Sequence, residues 1–449
     1  MSGYKGVILN TLGFFDYREK LTNNVADELE NEQFGSRSKD GQEGVFSRRR
    51  KLPLKNLIVI IIGFKSSVQR ELDRFFKIVT KSDFNIREVT KGALTQARAK
   101  LNPWAFKRLN EVAVKSFYDE AEYYVWHNMR VLAVDGSRLQ LPNHPTVVEE
   151  FGTHNFGPKA DAPGSLATCS MLYDVLNQLT LDAEIAPYKC SENDLLRKHL
   201  DKIEPGDLLL LDRGYPCFWL LFLLKAKGIE FCVRLKENWW KEVWDFQKRP
   251  EKECIVKFSL PKKNRKDLAE YPNMLDVEIS CRLIKVELPT GEIEILCTSL
   301  LDSETYLHSD FDGLYHYRWN EEEAYKLLKS RVEVENFSGK TAKAVKQDFH
   351  AKVFLMTLCA AYAHPIEEKV TDEYKADESR KFGQKINRTN ALSMTQDVLI
   401  SVFIWRKFDR AIKAFDELVS KTREIIRPGR SNPRKHKPKR PYHMNYKRL

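Results

Sequence analysis

Four residues in one short window, Tyr315, Arg318, Glu322 and Lys329, are of types that handle phosphate and metal. The window reads Tyr-His-Tyr-Arg-Trp-Asn-Glu-Glu-Glu-Ala-Tyr-Lys-Leu-Leu-Lys. It is charged and free of Gly and Pro, which predicts a helix. At about 100° per residue the four fall within an arc of roughly 60°, on one face. That face sets one acid between two bases, with an aromatic ring at its start. A carboxylate holds a hard divalent cation, Arg and Lys grip phosphate oxygens, and a ring stacks on a base. The same pattern also serves as a solvated face steadied by i,i+4 pairs, Arg318 and Glu322 being one. The rest of the chain has to decide between these readings.

Two more acids stand at the ends of apolar runs. Arg130-Val-Leu-Ala-Val-Asp135 is followed by Gly136-Ser137, and Asp207-Leu-Leu-Leu-Leu-Asp212 by Arg213-Gly214-Tyr215. Each reads as a buried strand with a carboxylate at its end. Between them, Ser165 to Val175 and Leu179 to Tyr188 read as two strands turning at Asn177-Gln178. A helix then runs from Ser191 to about Ile203, with Ser191 as N-cap and Asp194 completing a capping box. A helix opened by Pro216 and closed by Gly228 leads to a last strand, Glu230 to Leu235. Three strands, a helix, a strand, a helix and a strand make a mixed sheet flanked by helices. Buried like charges on neighbouring strands repel unless a cation or a proton lies between them.

The spacing Y-x2-R-x3-E-x6-K at Tyr315, Arg318, Glu322 and Lys329 resembles the signature of the insertion-sequence-four family of bacterial cut-and-paste DDE transposases. The Asp135-Gly-Ser and Asp212-Arg-Gly-Tyr segments resemble its two aspartate motifs, and the likeness spans about Val131 to Lys343. It implies an α/β fold: a ribonuclease-H-like catalytic core with a β-rich insertion, plus helical N-terminal and C-terminal domains. In such a core the first and fourth strands are neighbours, which sets Asp135 beside Asp212. The expected divisions are a helical DNA-binding region at 1–125, core at 126–237, insertion at 238–310, core again at 311–365, and a helical region with a basic tail at 366–449.

The resemblance also implies a chemistry: metal-dependent strand cleavage and strand transfer on double-stranded DNA, through a hairpin intermediate. Asp135, Asp212 and Glu322 are the expected catalytic residues and metal ligands for two Mg²⁺, with Asp135 bridging and Mn²⁺ able to substitute. Tyr315, Arg318, Lys329 and Arg213 are the expected DNA-binding residues. By resemblance alone, Tyr315 and Arg318 inherit a role in holding a hairpin with a flipped base. Bringing two inverted-repeat ends together implies a homodimer in a synaptic complex.

A net charge of +11 favours a polyanionic partner. The eight cysteines include no CxxC pair and read as buried free thiols, against a zinc site. No signal peptide is visible, and the longest apolar run, Leu57 to Phe64, is far too short to span a bilayer, so a cytoplasmic, nucleoid-associated protein is expected. Ser47-Arg-Arg-Arg-Lys51 offers phosphate contacts. Asn85 to Leu101 reads as a recognition helix, with Val89, Ala93, Ala97 and Leu101 inward and Thr95, Gln96, Arg98 and Lys100 exposed. Trp239 and Trp240 read as core packing rather than wedges between bases. Val370 to Lys385 reads as a polar linker and Ser393 to Val419 as helical. The tail beyond Ile426 mixes Arg and Lys with Pro428, Pro433, Pro438 and Pro441, and suits lying along DNA.

Three other classes fit parts of the pattern. A nuclease of the same fold that cuts without joining needs neither the insertion nor the tail. A non-catalytic DNA-binding derivative of a transposase would tolerate loss of an acid, and all three are present. A two-carboxylate glycosidase leaves the phosphate-gripping bases unexplained.

Overall fold

The apolar runs leading to Asp135 and Asp212 form adjacent parallel strands in the computed structural model, Val131 opposite Leu208 and Ala133 opposite Leu210. The structure describes residues 5–8, 16–39, 46, 51–155, 163–236, 240–288, 291–376 and 382–426. Ser47 to Arg50, Trp239 and the tail from Arg427 lie outside these.

The sheet's strands are β1 (Val131–Gln140), β2 (Leu166–Asp174), β3 (Leu179–Pro187), β4 (Leu208–Leu211), β5 (Glu230–Leu235), β6 (Glu253–Ser259), β7 (Glu278–Glu287) and β8 (Ile293–Thr298). Their order is β3-β2-β1-β4-β5-β8-β7-β6. β1, β2 and β3 form an antiparallel meander, and β4 and β5 run parallel to β1. The first five strands therefore have the order and directions of a ribonuclease-H-like sheet. β2 is buried throughout, and β4 is four leucines, all fully buried. Strands covered on both faces need a continuous apolar run rather than alternation. β8 pairs antiparallel with β5, Ile295 opposite Leu235, so the strands between Asp212 and Glu322 extend the same sheet.

Several expectations change in detail. β1 does not stop at Asp135 but continues through Gln140, paired with β2. The window from Tyr315 is not one helix: Asp310–His316 ends, the chain turns at Tyr317 and Arg318, and Trp319–Ser330 begins. The linker expected from Val370 begins as helix, the last turns of Ala342–Ala376. The expected helix from Ser393 is two helices, Arg388–Leu399 and Phe408–Lys421, joined by a π turn at Ile400–Ile404.

The candidate recognition helix is Lys91–Arg98, and its inward residues are Leu94 and Arg98 rather than Ala93 and Ala97. Arg98 is buried. It donates to Asp348 Oδ1 at 2.8 Å, Gln347 Oε1 at 2.9 Å and Ser338 Oγ at 2.8 Å. The apolar period misleads here because a buried guanidinium replaces an apolar side chain. Trp240 is in the core, stacked on Phe218 with ring centroids 4.5 Å apart. All eight cysteines are free; Cys190, Cys217 and Cys254 are only half-buried. Among the described residues no helix is long and apolar enough to cross a membrane.

The helix Ala342–Ala376 forms the spine between the sheet and both terminal regions. Its Lys352 donates to the Phe64 carbonyl at 2.5 Å, and its Ala361 carbonyl accepts from the Tyr17 hydroxyl at 2.5 Å. His350 on this helix is buried. Burial, with Lys107 and Lys346 near, holds its pKa at about 3 against an ordinary 6.5. The unfolded chain takes up that proton near pH 6.5, whereas the folded chain resists until about pH 3. This site therefore leaves stability intact above pH 6.5 and erodes it as pH falls toward 3. His350→Gln should shrink the stability lost between pH 7 and pH 5 by about 2 kcal/mol, read from urea unfolding at each pH.

Candidate active site

Asp135 sits at the middle of β1, opposite Met171 on β2. The helix Trp319–Ser330 docks onto it through residues one turn apart. Glu321 Oε1 accepts the Asp135 backbone N–H at 2.8 Å, and the Tyr325 hydroxyl donates to the Asp135 carbonyl at 2.8 Å. One turn further on, Lys329 Nζ donates to the Arg138 carbonyl at 2.7 Å. Glu321, Tyr325 and Leu328 are therefore the buried face of this helix. Glu322, about 100° round from Glu321, is left half-buried at the sheet margin.

Asp212 follows the last leucine of β4. Its carbonyl accepts the Tyr215 N–H at 3.2 Å, which closes a turn and buries the Tyr215 ring. The Tyr315 hydroxyl donates to the Leu211 carbonyl at 3.3 Å, so the helix Asp310–His316 is fastened beside Asp212. Tyr315 is buried and forms a wall of the site rather than an open stacking surface. Arg318, in the turn after it, is also buried, with Glu322 Oε1 at 3.4 Å from Nη2. Its guanidinium carbon lies 5.6 Å from the Tyr315 ring centre and 5.1 Å from that of Trp319. Arg213 is exposed at the edge.

The fold thus sets Asp135, Asp212 and Glu322 about Arg318, where β1 runs on past the C-terminal end of β4. The electrostatics follow from that crowding. Burial pushes the Asp135 carboxyl up to about 6; Asp212 and Glu192 push the same way, while the Gly136 N–H and Arg318 oppose them. Burial raises Glu321 well above the usual carboxylate range, and Asp135 adds to it. Burial works against the Arg318 charge, but Tyr315, Glu322, Asp135 and Asp212 more than offset it.

Sequence reasoning missed three residues here. Glu321 is one, hidden because the motif reads its neighbour; helical phase relative to Tyr325 would have exposed it. Tyr215 is the second. Glu192 is the third: its Oε1 lies 2.5 Å from where a Cβ on Gly136 would be.

The donor set suits a hard divalent cation. Asp135 Oδ1 accepts the Gly136 N–H at 2.8 Å, and Asp212 Oδ1 accepts the Gly214 N–H at 2.6 Å. Each aspartate is thereby oriented, and neither Oδ2 has a hydrogen-bond partner among the described residues. Glu321 Oε2 is buried without a partner. Acids crowded at one edge call for positive charge beyond what Arg318 supplies. As they stand, no three His, Cys, Asp or Glu side chains among the described residues close on one ion, so side-chain rotation is needed for ligation.

The profile of the family described as Transposase DDE domain matches residues 126–359, which span β1 through the Glu322 helix and into the spine helix. This chain belongs to that family. It is 25% identical over 294 residues to "Transposase InsG for insertion sequence element IS4" of Escherichia coli (strain K12), covering 64% of each chain. It is 24% identical over 201 residues to "Putative transposase InsZ" of the same organism, covering 44% of this chain and 64% of that one. The chain thus spans 64% of the length of the curated relatives it matches. A cryo-EM structure of piggyBac transposase in a synaptic complex with hairpin DNA aligns over 93% of this chain and 87% of that one, at 8% identity and a TM-score of 0.44, too distant to carry weight.

Proposed function

We propose that this chain is a DNA transposase that cuts and joins DNA by a cut-and-paste mechanism through a hairpin intermediate. The observation that carries the reading is that Asp135, Asp212 and Glu322 all lie within electrostatic reach of the buried Arg318, beside the C-terminal end of β4 in a ribonuclease-H-like sheet. Family membership and two relatives named as transposases support it.

Asp135, Asp212 and Glu322 would hold the divalent ions. A pair of Mg²⁺, replaceable by Mn²⁺, would supply Lewis acidity there, favouring a water nucleophile and offsetting charge on the leaving oxygen. Arg318 stays charged beside the acids and anchors a phosphate of the scissile strand. Lys329 and Arg213, at the margin, grip neighbouring phosphates. Tyr315 sets the Arg318 guanidinium in the resting chain, and reaches DNA only if the end of Asp310–His316 shifts. Residues 1–125 and the basic tail take the flanking double-stranded DNA. Two chains bring two inverted-repeat ends together in a synaptic complex at the nucleoid.

The test uses the full chain, Mg²⁺ and a labelled duplex ending in its own element's inverted repeat. Hairpin-capped ends are expected. Open ends alone would make it a nuclease that does not join, and end binding without cutting would make it a non-catalytic derivative.

A further inference from the structure

We propose that Glu192 is a fourth carboxylate of the cation pocket, an added oxygen ligand on the Asp212 side. The proposal rests on reading Asp135, Asp212 and Glu322 as a divalent-cation site.

Glu192 is the first residue of the helix Glu192–His199, whose N-cap is Ser191. The far end of that helix is pinned to the sheet. Buried His199 lies 2.8 Å from Asp182 Oδ2 on β3 and 3.0 Å from Ser170 Oγ on β2. Ser170 is the β2 partner of Gly136, so the helix is referenced to the strand position just after Asp135. With the far end held there, the Glu192 side chain lies along Gly136 and Gly214, the glycines that follow the two aspartates. A Cβ on Gly136 would meet Glu192 Oε1 at 2.5 Å. One on Gly214 would meet Asp212 Oδ1 at 2.9 Å and Glu192 Oε2 at 3.8 Å. The two carboxylates therefore flank one glycine, and the absence of a side chain at Gly136 makes room for Glu192.

A second, independent observation marks the same space. Tyr215 is 1% exposed, and its buried hydroxyl has no hydrogen-bond partner among the described residues. The acids nearest it in electrostatic effect are Glu192, then Asp135, Glu321 and Asp212. Glu321 Oε2, fully buried, is likewise unpartnered. Buried polar atoms are nearly always satisfied by protein, water or ion. Orphans beside these carboxylates thus point to a ligand and its water shell. The Glu192 carboxylate itself has no hydrogen bond or ion pair among the described residues. The ordinary role of an acid at a helix start is to offset the helix dipole. That role requires no contact with Gly136 or Gly214, and Ser191 and Asp194 already cap this helix.

The test is calorimetric titration of Mn²⁺ into the DNA-free full chain, for wild type, Asp212→Asn, Glu192→Gln and Glu192→Asp. Glu192→Gln is expected to weaken Mn²⁺ binding about tenfold. Its melting temperature, and its binding to inverted-repeat DNA in EDTA, should stay unchanged. Glu192→Asp keeps the charge at the helix start but withdraws the oxygens, so it too should weaken binding. Its cleavage activity should recover as Mn²⁺ is raised. Affinities within about twofold of wild type for both Glu192 variants, with Asp212→Asn clearly weakened, would overturn the role of Glu192 alone. Undiminished binding in Asp212→Asn would remove the cation pocket, and this proposal with it.

Discussion

Alanine at Asp135, Asp212 or Glu322 is expected to abolish strand cleavage, each change lowering its rate on the order of 10³-fold or more, while end binding should survive. The expectation follows from the geometry. Each aspartate has one oxygen tied to a glycine N–H and the other left open, and Glu322 is oriented by Arg318. No neighbouring side chain reproduces that set. The adjacent acid supplies an internal control. Glu321 spends one oxygen on the Asp135 N–H, a bond that a glutamine carbonyl keeps. Glu321→Gln should therefore stay within about tenfold of wild type, well short of the loss set for an oriented catalytic group. Gel assays on a labelled inverted-repeat duplex, alongside binding assays in EDTA, separate the outcomes. Robust cutting by any of the three alanine variants defeats the assignment. Loss in Glu321→Gln with retention in Glu322→Ala would exchange the two glutamates.

The largest effect on stability is expected far from the chemistry. Arg98 and Asp348 form a buried ion pair, with side chains 5% and 7% exposed. Ser338 donates to the same carboxylate through its N–H at 2.6 Å, and Gln347 donates to the Arg98 carbonyl at 2.8 Å. Removing one partner strands the other charge in the interior, which costs about 3–5 kcal/mol. Asp348→Ala should show that loss in urea denaturation at pH 7. Arg98→Met/Asp348→Leu, which removes both charges and fills the space, should recover much of it. A double variant no better than the single would mean that the surrounding polar groups, and not the lone charge, set the penalty.

The site was legible in the sequence to the extent that it depends on strand ends and motif spacing. Apolar runs marked the strands that carry Asp135 and precede Asp212, the resemblance to the ribonuclease-H-like fold implied that those strands are neighbours, and four spaced residues marked the helix of Glu322. What stayed hidden depends on contacts between distant segments. Nothing local tells that Arg98 turns inward, because its partners are some 250 residues away along the chain. The break at Tyr317 and Arg318 carries no Gly or Pro; it follows from fastening Tyr315 to β4 and Glu321 to β1 at once. Glu192 looks like any acid at a helix start until Gly136 and Gly214 are seen beneath it.

The spine helix has a consequence for damaged copies of the gene. It begins only a dozen residues after the helix of Glu322, and it holds the N-terminal region through Lys352, Ala361 and Asp348 and the C-terminal region through the Glu367–Arg388 ion pair. A frameshift just downstream of Ser330 would retain Asp135, Asp212 and Glu322 yet strip the partners from Arg98 and Phe64 and the covering from the back of the sheet. Such a product should be an insoluble fragment cleared by proteolysis, not a crippled enzyme competing for transposon ends. Dominant-negative relics are therefore to be sought among point mutants, not truncations.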